Sequence, residues 1–322
     1  MVGAEAREVR LYLIRHGETV DNVAGNYAGR RDSELTNHGY QQATRLGHHF
    51  QAQGVVFTHH FCSDLQRAAT TAAQIRQAQV TSPNALNAAT EAPAVVQTPL
   101  LVEKDFGVYE GTRCRAIDHP LGVETKESMS CRADAFLDRH LLPLFLDTVE
   151  SRQHVIAVVS HGIMLSVLWK RLLLRLPPNS IRIDPDVLAN VHGYSLEYIG
   201  PWANTGYLEL HCQQLSTVDA SVSVQPTTSV APMAAIVSKV TTGVDRKSDK
   251  RDGVLLRDAM SACSSDPLRP PKVLQGWSFV VKAVNGKDHL KSLKRTRGGV
   301  GSARHDPSQK SLESFFKKQK VR

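Results

Sequence analysis

Val9-Arg10-Leu11-Tyr12-Leu13-Ile14-Arg15-His16-Gly17-Glu18-Thr19 is the stretch from which the rest of the chain can be read. Its first six residues form an apolar, alternating run of strand character that gives way to a polar turn with a glycine. This order presents an arginine and a histidine at the carboxyl end of a strand, where open α/β sheets place their ligand crevice. The arginine offers a planar fork of donors that suits phosphate. The histidine beside it can serve as nucleophile or proton carrier. On its own, a strand followed by Arg-His-Gly would read as a plain loop.

Two further strand ends change that reading. Residues 154–159, His-Val-Ile-Ala-Val-Val, read as a buried strand followed by Ser160-His161-Gly162 and an apolar helical stretch over 163–176. Residues 55–62 form a third strand-like run that ends in Ser63-Asp64-Leu65-Gln66-Arg67. A helix starting near Asp64, with Ser63 or Asp64 as N-cap, puts Arg67 about one turn inside it. Arg15, His16, Arg67 and His161 thus come from three strand ends. Two cations and two histidines converging on one point match a phosphoryl group.

The motifs continue in a fixed order. After Arg15-His16-Gly17-Glu18-Thr19 and Asn22 come Gly29-Arg30-Arg31-Asp32-Ser33-Glu34-Leu35-Thr36 with Gly39 and Gln42-Ala43. Then follow Ser63 through Ala72, Glu103-Lys104-Asp105-Phe106-Gly107-Val108-Tyr109-Glu110-Gly111, Ser160-His161-Gly162 and Asn204-Thr205. Together they resemble the histidine phosphatase (phosphoglycerate mutase-like) superfamily over about the first two-thirds of the chain. Tyr109 stands where many members carry Trp. The resemblance implies a three-layer α/β/α sandwich with a mostly parallel central sheet. It implies His16 as the nucleophile that becomes a phosphohistidine, with Arg15, Arg67, His161 and Asn22 around the phosphoryl oxygens. It also implies that Glu103 protonates the leaving oxygen and then deprotonates water; Glu110 is a competing carboxylate nearby. Neither a metal nor another cofactor is expected, because the cations are built in. Arg30 and Arg31 read equally as substrate contacts and as solvated loop.

Composition sets the class. A chain of 322 residues with 41% hydrophobic content can bury a sizeable core. Five cysteines without regular spacing predict reduced thiols and a cytoplasmic or nuclear location. The N-terminal residues lack the basic start and apolar core of a signal peptide, and the apolar tract over 155–176 is too interrupted to span a bilayer. No membrane partner is expected.

The catalytic domain is predicted over 1–212 and 273–291. Residues 213–272, rich in Ser, Thr, Val, Ala and Pro, show no sustained period and read as a disordered insertion. Order returns with the alternating run from Trp277 to Asn285, which is expected to pair with the strand over 207–212. A second loop is read over 81–98. Residues 291–322 carry ten Lys or Arg against Asp306 and Glu313, a net of +8, which is the net charge of the whole chain. Electropositivity therefore belongs to a basic tail, predicted to be disordered over 292–322. Such a tail suits nuclear import or weak nucleic-acid contact.

Within it, Gln309-Lys310-Ser311-Leu312-Glu313-Ser314-Phe315-Phe316 places apolar anchors in a polar segment that has no core to join. Gln309, Leu312, Phe315 and Phe316 resemble the clamp-binding (PIP-box-like) motif of proteins that dock on the replication sliding clamp. The function expected from the whole is a metal-independent phosphomonoesterase acting on a phosphorylated small molecule and tethered to a PCNA-like clamp through 309–316. The alternatives are a phosphoglycerate mutase-type phosphotransferase and a clamp-associated interaction protein with a vestigial phosphatase fold. Only 56 residues separate Glu103 from Ser160, and Lys126-Glu127-Ser128 with a helical pattern over 131–146 resembles the phosphatase cap.

Overall fold

Alternation along the first strand divides its side chains between two cores. In β1 (Glu8–Arg15), Val9, Leu11 and Leu13 join one apolar cluster, while Tyr12 and Ile14 join the other. All five are at most 1% exposed. A strand buried on both faces has to read as a continuous apolar run, which is what residues 9–14 show. Each such side chain contributes roughly 1.5–3 kcal/mol on burial.

A computed structural model describes residues 7–80, 93–115, 117, 121–147, 153–190, 195–215, 273–306 and 308. In chain order, β1 is followed by α1 (Val20–Ala24), α2 (Asn37–Ala52), β2 (His59–Ser63), α3 (Gln66–Val80) and β3 (Val95–Thr98). Next come α4 (Lys126–Phe136), α5 (Leu142–Leu146), β4 (His154–Ser160), α6 (Gly162–Leu173), β5 (Ile181–Ile183) and α7 (Pro185–Asn190). β6 (Tyr207–Gln214) and β7 (Trp277–Gly286) complete the set. A π-helical turn, Leu137–Leu141, joins α4 to α5 in one helical run.

Among the described residues the strands form one seven-stranded sheet in the order β3-β2-β4-β1-β6-β7-β5. Only β6 opposes its neighbours; β3, β2, β4 and β1 are mutually parallel. Leu46 and Phe50 of α2 and Ala72 and Ile75 of α3 cover the Tyr12–Ile14 face. Phe136 of α4, Phe145 of α5 and Trp169 of α6 cover the Leu11–Leu13 face. The result is the predicted α/β/α sandwich with a mostly parallel sheet. The expected pairing across the insertion is present, with Cys212 opposite Phe279 and Gln214 opposite Trp277.

Several boundaries differ from the sequence reading. α3 starts at Gln66 rather than near Asp64, because its first amide is capped from a distance by Asp32 Oδ1 at 2.8 Å. Arg67 therefore sits in the first turn. The loop read over 81–98 ends in β3, an edge strand paired in parallel with β2. Its Val95-Val96-Gln97-Thr98 has the β-branched residues of a strand, hidden between Pro93 and Pro99. β6 extends to Gln214, two residues past the predicted insertion boundary; residues 216–272 lie outside the described residues. The helix after His161 stops at Leu173, short of 176. Residues 292–306, expected as the start of a disordered tail, pack on the body, with Gly301 buried. Cys62, Cys114 and Cys212 are free thiols, whereas Cys131 is disulfide-bonded, contrary to the expectation for that residue. Among the described residues, no helix is long and apolar enough to cross a membrane.

Burial pushes His60 and His289 down from 6.5 to about 4. Unfolded, both take up a proton below 6.5; folded, they resist it until about 4. Their contribution to stability is therefore complete above pH 6.5 and is lost as pH falls from 6.5 toward 4. Thermal melts between pH 7.5 and 4.5 are expected to show a falling midpoint, and His60→Phe is expected to flatten that slope. An unchanged slope in His60→Phe would assign the acid sensitivity to other groups.

Candidate active site

Because β1, β4, β2 and β3 run the same way, their carboxyl ends share one edge of the sheet. Each delivers a functional group there. β1 ends at Arg15 and His16, β4 runs into His161, β2 leads into Arg67 of α3, and β3 leads through a 3-10 turn, Pro99–Leu101, to Glu103. Ser160 pairs with Arg15 in the β1–β4 register, so the two His-Gly turns are neighbours. The His16 and His161 rings lie 5.0 Å apart between centroids.

Every amide of the His16 turn has a fixed acceptor, so the loop is over-determined. His16 N donates to Ser160 O at 3.0 Å, Gly17 N to Thr71 Oγ1 at 3.0 Å, and Glu18 N to Gln42 Oε1 at 3.0 Å. Thr19 N donates to Asn22 Oδ1 at 3.2 Å while the Thr19 hydroxyl accepts from Asn22 N, a reciprocal cap at the start of α1. Asn204 Nδ2 ties the two halves together, reaching His16 O at 3.2 Å and Asn22 Oδ1 at 3.0 Å. With its Oδ1 doubly engaged, Asn22 keeps Nδ2 as its remaining side-chain donor.

Hydrogen bonds assign the tautomers. His16 Nδ1 lies 2.7 Å from Gly17 O, and a carbonyl only accepts, so Nδ1 carries the proton and Nε2 presents a lone pair. Arg67 Nε donates to His161 Nδ1 at 3.1 Å, so a neutral His161 carries its proton on Nε2. Burial, then Arg67, then Arg15 hold His16 well below 6.5. Burial and Arg67, with His16 and Arg15 behind them, do the same to His161. Both rings are neutral at neutral pH.

Arg67 is 1% exposed and held at three corners, by His161, by Gly29 O at 2.6 Å and by Arg31 O at 2.8 Å. Arg15 Nη1 donates to Trp202 O at 2.6 Å. Arg15 Nε and His161 Nε2 are buried without a hydrogen-bond partner among the described residues. Two guanidinium groups, an Nε2–H and a lone pair together suit a tetrahedral dianion.

Glu103 sits at the amino end of α6, where its carboxylate accepts from Ile163 N at 3.2 Å, Met164 N at 3.1 Å and Lys104 N at 2.9 Å. Its charge reaches both arginines and opposes the lowering that burial imposes on them. Behind it, Arg132 holds the approach, donating to Leu100 O and Val102 O at 3.1 and 3.0 Å and pairing with Glu124. Burial works against the Glu124 carboxylate, but Arg132 still holds it below its usual range.

The competing carboxylate, Glu110, is occupied elsewhere. Its oxygens accept from Arg30 N at 2.7 Å, Arg31 N at 2.9 Å and Phe106 N at 3.2 Å. It clamps the same 29–31 turn whose carbonyls hold Arg67. A Cβ on Gly29, at φ +54°, would lie 2.0 Å from Glu110 Oε1, so the clamp requires glycine there. Arg30 and Arg31 serve this turn through their backbone, and Arg31 also lies 3.8 Å from Asp21. Thr71, Gln42, Asn204 and His289 went unassigned in the sequence reading. Only their place in the motif order could have marked them, since a side chain that holds a backbone has no local signature. His289 Nε2 lies 2.8 Å from Thr205 Oγ1, and Thr205 N bonds the Arg15 and His16 carbonyls. Gln309, Leu312, Phe315 and Phe316 lie outside the described residues.

Comparison with known proteins agrees with this arrangement. Residues 11–200 match the histidine phosphatase superfamily (branch 1), and the chain belongs to that family. It is 34% identical over 177 residues to a probable phosphatase of Schizosaccharomyces pombe, covering 51% of this chain and 56% of that one. It is 30% identical over 182 residues to adenosylcobalamin/alpha-ribazole phosphatase of Salmonella typhimurium, covering 51% and 80%. It is 34% identical over 188 residues to a probable phosphoglycerate mutase, GpmB, of Erwinia tasmaniensis, covering 54% and 79%. The match spans about half the length of the Schizosaccharomyces pombe relative, 56%, and half, 50%, of a 2,3-bisphosphoglycerate-dependent phosphoglycerate mutase of Nitrosomonas europaea.

The two carboxylates are expected to separate by leaving group. Glu103→Gln should slow phosphate esters with poor leaving groups by roughly 10²-fold, the scale of a lost general acid, and activated aryl esters less. Glu110→Gln should slow both alike, because it loosens Arg67. Rates across a series of esters check this, and a leaving-group dependence in Glu110→Gln would exchange the two assignments.

Proposed function

We propose that the protein is a phosphomonoesterase that works through a phosphohistidine on His16. The carrying observation is the Nδ1–H bond of a buried, neutral His16 to Gly17 O, which aims the Nε2 lone pair into a seat flanked by Arg67 and His161. Attack by Nε2 on phosphorus forms the N–P bond as the ester P–O bond breaks. Charge on the equatorial oxygens is met by Arg15, Arg67, His161 Nε2–H and Asn22 Nδ2. Glu103 delivers the proton to the departing oxygen, then takes one from the water that attacks the phosphohistidine and releases orthophosphate. No step draws on a metal.

Transfer to a second substrate, as in a mutase, is the competing reading, and one relative above is a probable mutase. Hydrolysis is favoured by how the short segment between Glu103 and Ser160 is used. Its helical run places Met129, Ala133, Phe136, Leu137, Leu141 and Phe145 in the core, leaving little chain to shield a phosphoenzyme from water. A vestigial, non-catalytic fold is disfavoured because all six expected groups are present. Incubation with an aryl phosphate is expected to release phosphate in the presence of EDTA, with a phosphoenzyme that is acid-labile, alkali-stable and absent in His16→Ala. An alkali-labile label, or full activity in His16→Ala, would overturn the mechanism. Phosphoryl transfer to a phosphoglycerate in preference to water would favour the mutase.

The tail is read as a tether. Residues 309–316 are proposed to dock on a sliding clamp, with the flanking lysines adding weak nucleic-acid contact and directing a nuclear pool. A peptide spanning residues 306–322 is expected to bind the clamp at micromolar or tighter Kd, and Phe315→Ala with Phe316→Ala to remove most of that binding. Absence of binding at low salt would leave the basic tail with import or nucleic-acid contact alone.

A further inference from the structure

The segment that follows β7 lies across the loop that leaves the active site. Between residues 295 and 305 it makes a strap over the start of α2. Asn37 N donates to Ala303 O at 2.9 Å, and His305 N to Leu35 O at 2.9 Å. Asn37 Nδ2 donates to Val300 O at 2.9 Å, and Asn37 Oδ1 lies 3.0 Å from His305 Nδ1. The His305 ring stacks on Tyr40, with centroids 3.8 Å apart and planes 16° from parallel. Arg304 pairs with Glu34, and Arg295 grips Glu18 with both terminal nitrogens, one at 2.7 Å.

Glu18 is two residues from His16, and its environment explains why the grip matters. Its side chain is 13% exposed. Apart from Arg295, its carboxylate accepts from Thr36 Oγ1 at 2.8 Å, and its backbone oxygen accepts from Thr36 N at 2.9 Å. Thr36 caps α2 through Gly39 N. A Cβ on Gly39 would lie 2.0 Å from Glu18 O, so α2 abuts this peptide directly. The next residue, Thr19, caps α1, which carries Asn22. Without the guanidinium, a largely buried carboxylate keeps a single side-chain donor, and turning toward water would drag the peptide between His16 and Asn22 with it.

We propose that Arg295 is a positioning residue of the active site, acting through Glu18 to hold the His16 loop and the start of α1 in place. A basic residue beyond the family match thus completes the seat that the family residues build. The kinetic part of the proposal rests on the phosphatase reading; the conformational part does not.

The test uses full-length variants with p-nitrophenyl phosphate as the probe. Arg295→Gln is expected to lower kcat/KM roughly tenfold, as small misplacements of reacting groups do. Arg297→Gln, an exposed position two residues along with the same change of charge, is expected to leave it unchanged. Glu18→Gln and the double variant are expected to match Arg295→Gln, because two residues acting through one contact are not additive. Arg295→Lys should recover part of the loss. Independently of catalysis, amide hydrogen exchange over residues 17–22 should quicken in Arg295→Gln and not in Arg297→Gln. Wild-type kinetics and exchange in Arg295→Gln, with only Tm lowered, would reduce the strap to a staple for the tail and overturn the proposal. Additive losses in the double variant would also overturn it, by removing Glu18 from the route. An inactive wild-type protein whose residues 17–22 still respond to Arg295→Gln would sink the phosphatase reading while sparing the positioning role.

Discussion

A guanidinium that is 1% exposed and has no carboxylate within ion-pair distance among the described residues governs this structure. Arg67 is held by two carbonyls and a ring nitrogen, dipoles that satisfy its donors without neutralising its charge. Removing a cation from water is costly, and partial charges offset only part of that cost. Arg15, tied to Trp202 O, likewise has no carboxylate within ion-pair distance among the described residues. Both keep their protons, since guanidinium holds them far above neutral pH even when burial lowers its pKa. Much of the surrounding chain exists to keep these donors in place. The 29–31 turn needs Glu110 to hold its amides, the 202–206 turn needs Asn204 and Thr205, and α3 takes its cap from Asp32.

The same positive field decides the state of the histidines. A ring between two guanidinium groups and out of water cannot easily accept a third positive charge. Neutrality follows from position, before any chemistry is considered. Once both rings are neutral, the hydrogen bonds to Gly17 O and from Arg67 Nε make them different molecules in effect: one presents a lone pair, the other a proton. A bound dianion would reverse the field and relieve the strain on every member at once, which is the condition for electrostatic complementarity in a preorganised site.

What the chain announces in its sequence and what it conceals follow a physical division. Arg15, His16, Arg67 and His161 stand beside doubly buried strands, whose apolar runs are visible without a structure. The central strands and the pairing of β6 with β7 were legible for that reason. β3 and β5 are short edge elements, in which four and three residues carry too little period to register. Asp32 capping α3 spans 34 positions and Arg295 on Glu18 spans 277, so no local window holds both partners. The strap was concealed most thoroughly. A run of Lys, Arg, Gly and Ser has the composition of a solvated tail, and its complement, Glu18, Glu34, Asn37 and Tyr40 on the far side of the chain, turns it into docked structure. Only the family resemblance places Glu103 ahead of Glu110 in the sequence, because both are carboxylates seven residues apart. Their backbone donors, not their identity, separate them.

Pairing of β6 with β7 closes at a neck. Gln214 faces Trp277, and Leu215 N donates to Gly276 O at 2.7 Å, so the chain returns beside the point it left. The two strands meet through main-chain bonds and through Cys212 and Phe279 in a shared core, none of which depends on the peptide between them. Covalent continuity at this place is therefore dispensable to the sheet in principle. A chain ending after β6 and a second one beginning before β7 carry complementary edges, the second bringing His289 and the whole strap. Among the described residues, main-chain pairing at this neck joins the part that carries the catalytic groups to the part that carries the strap.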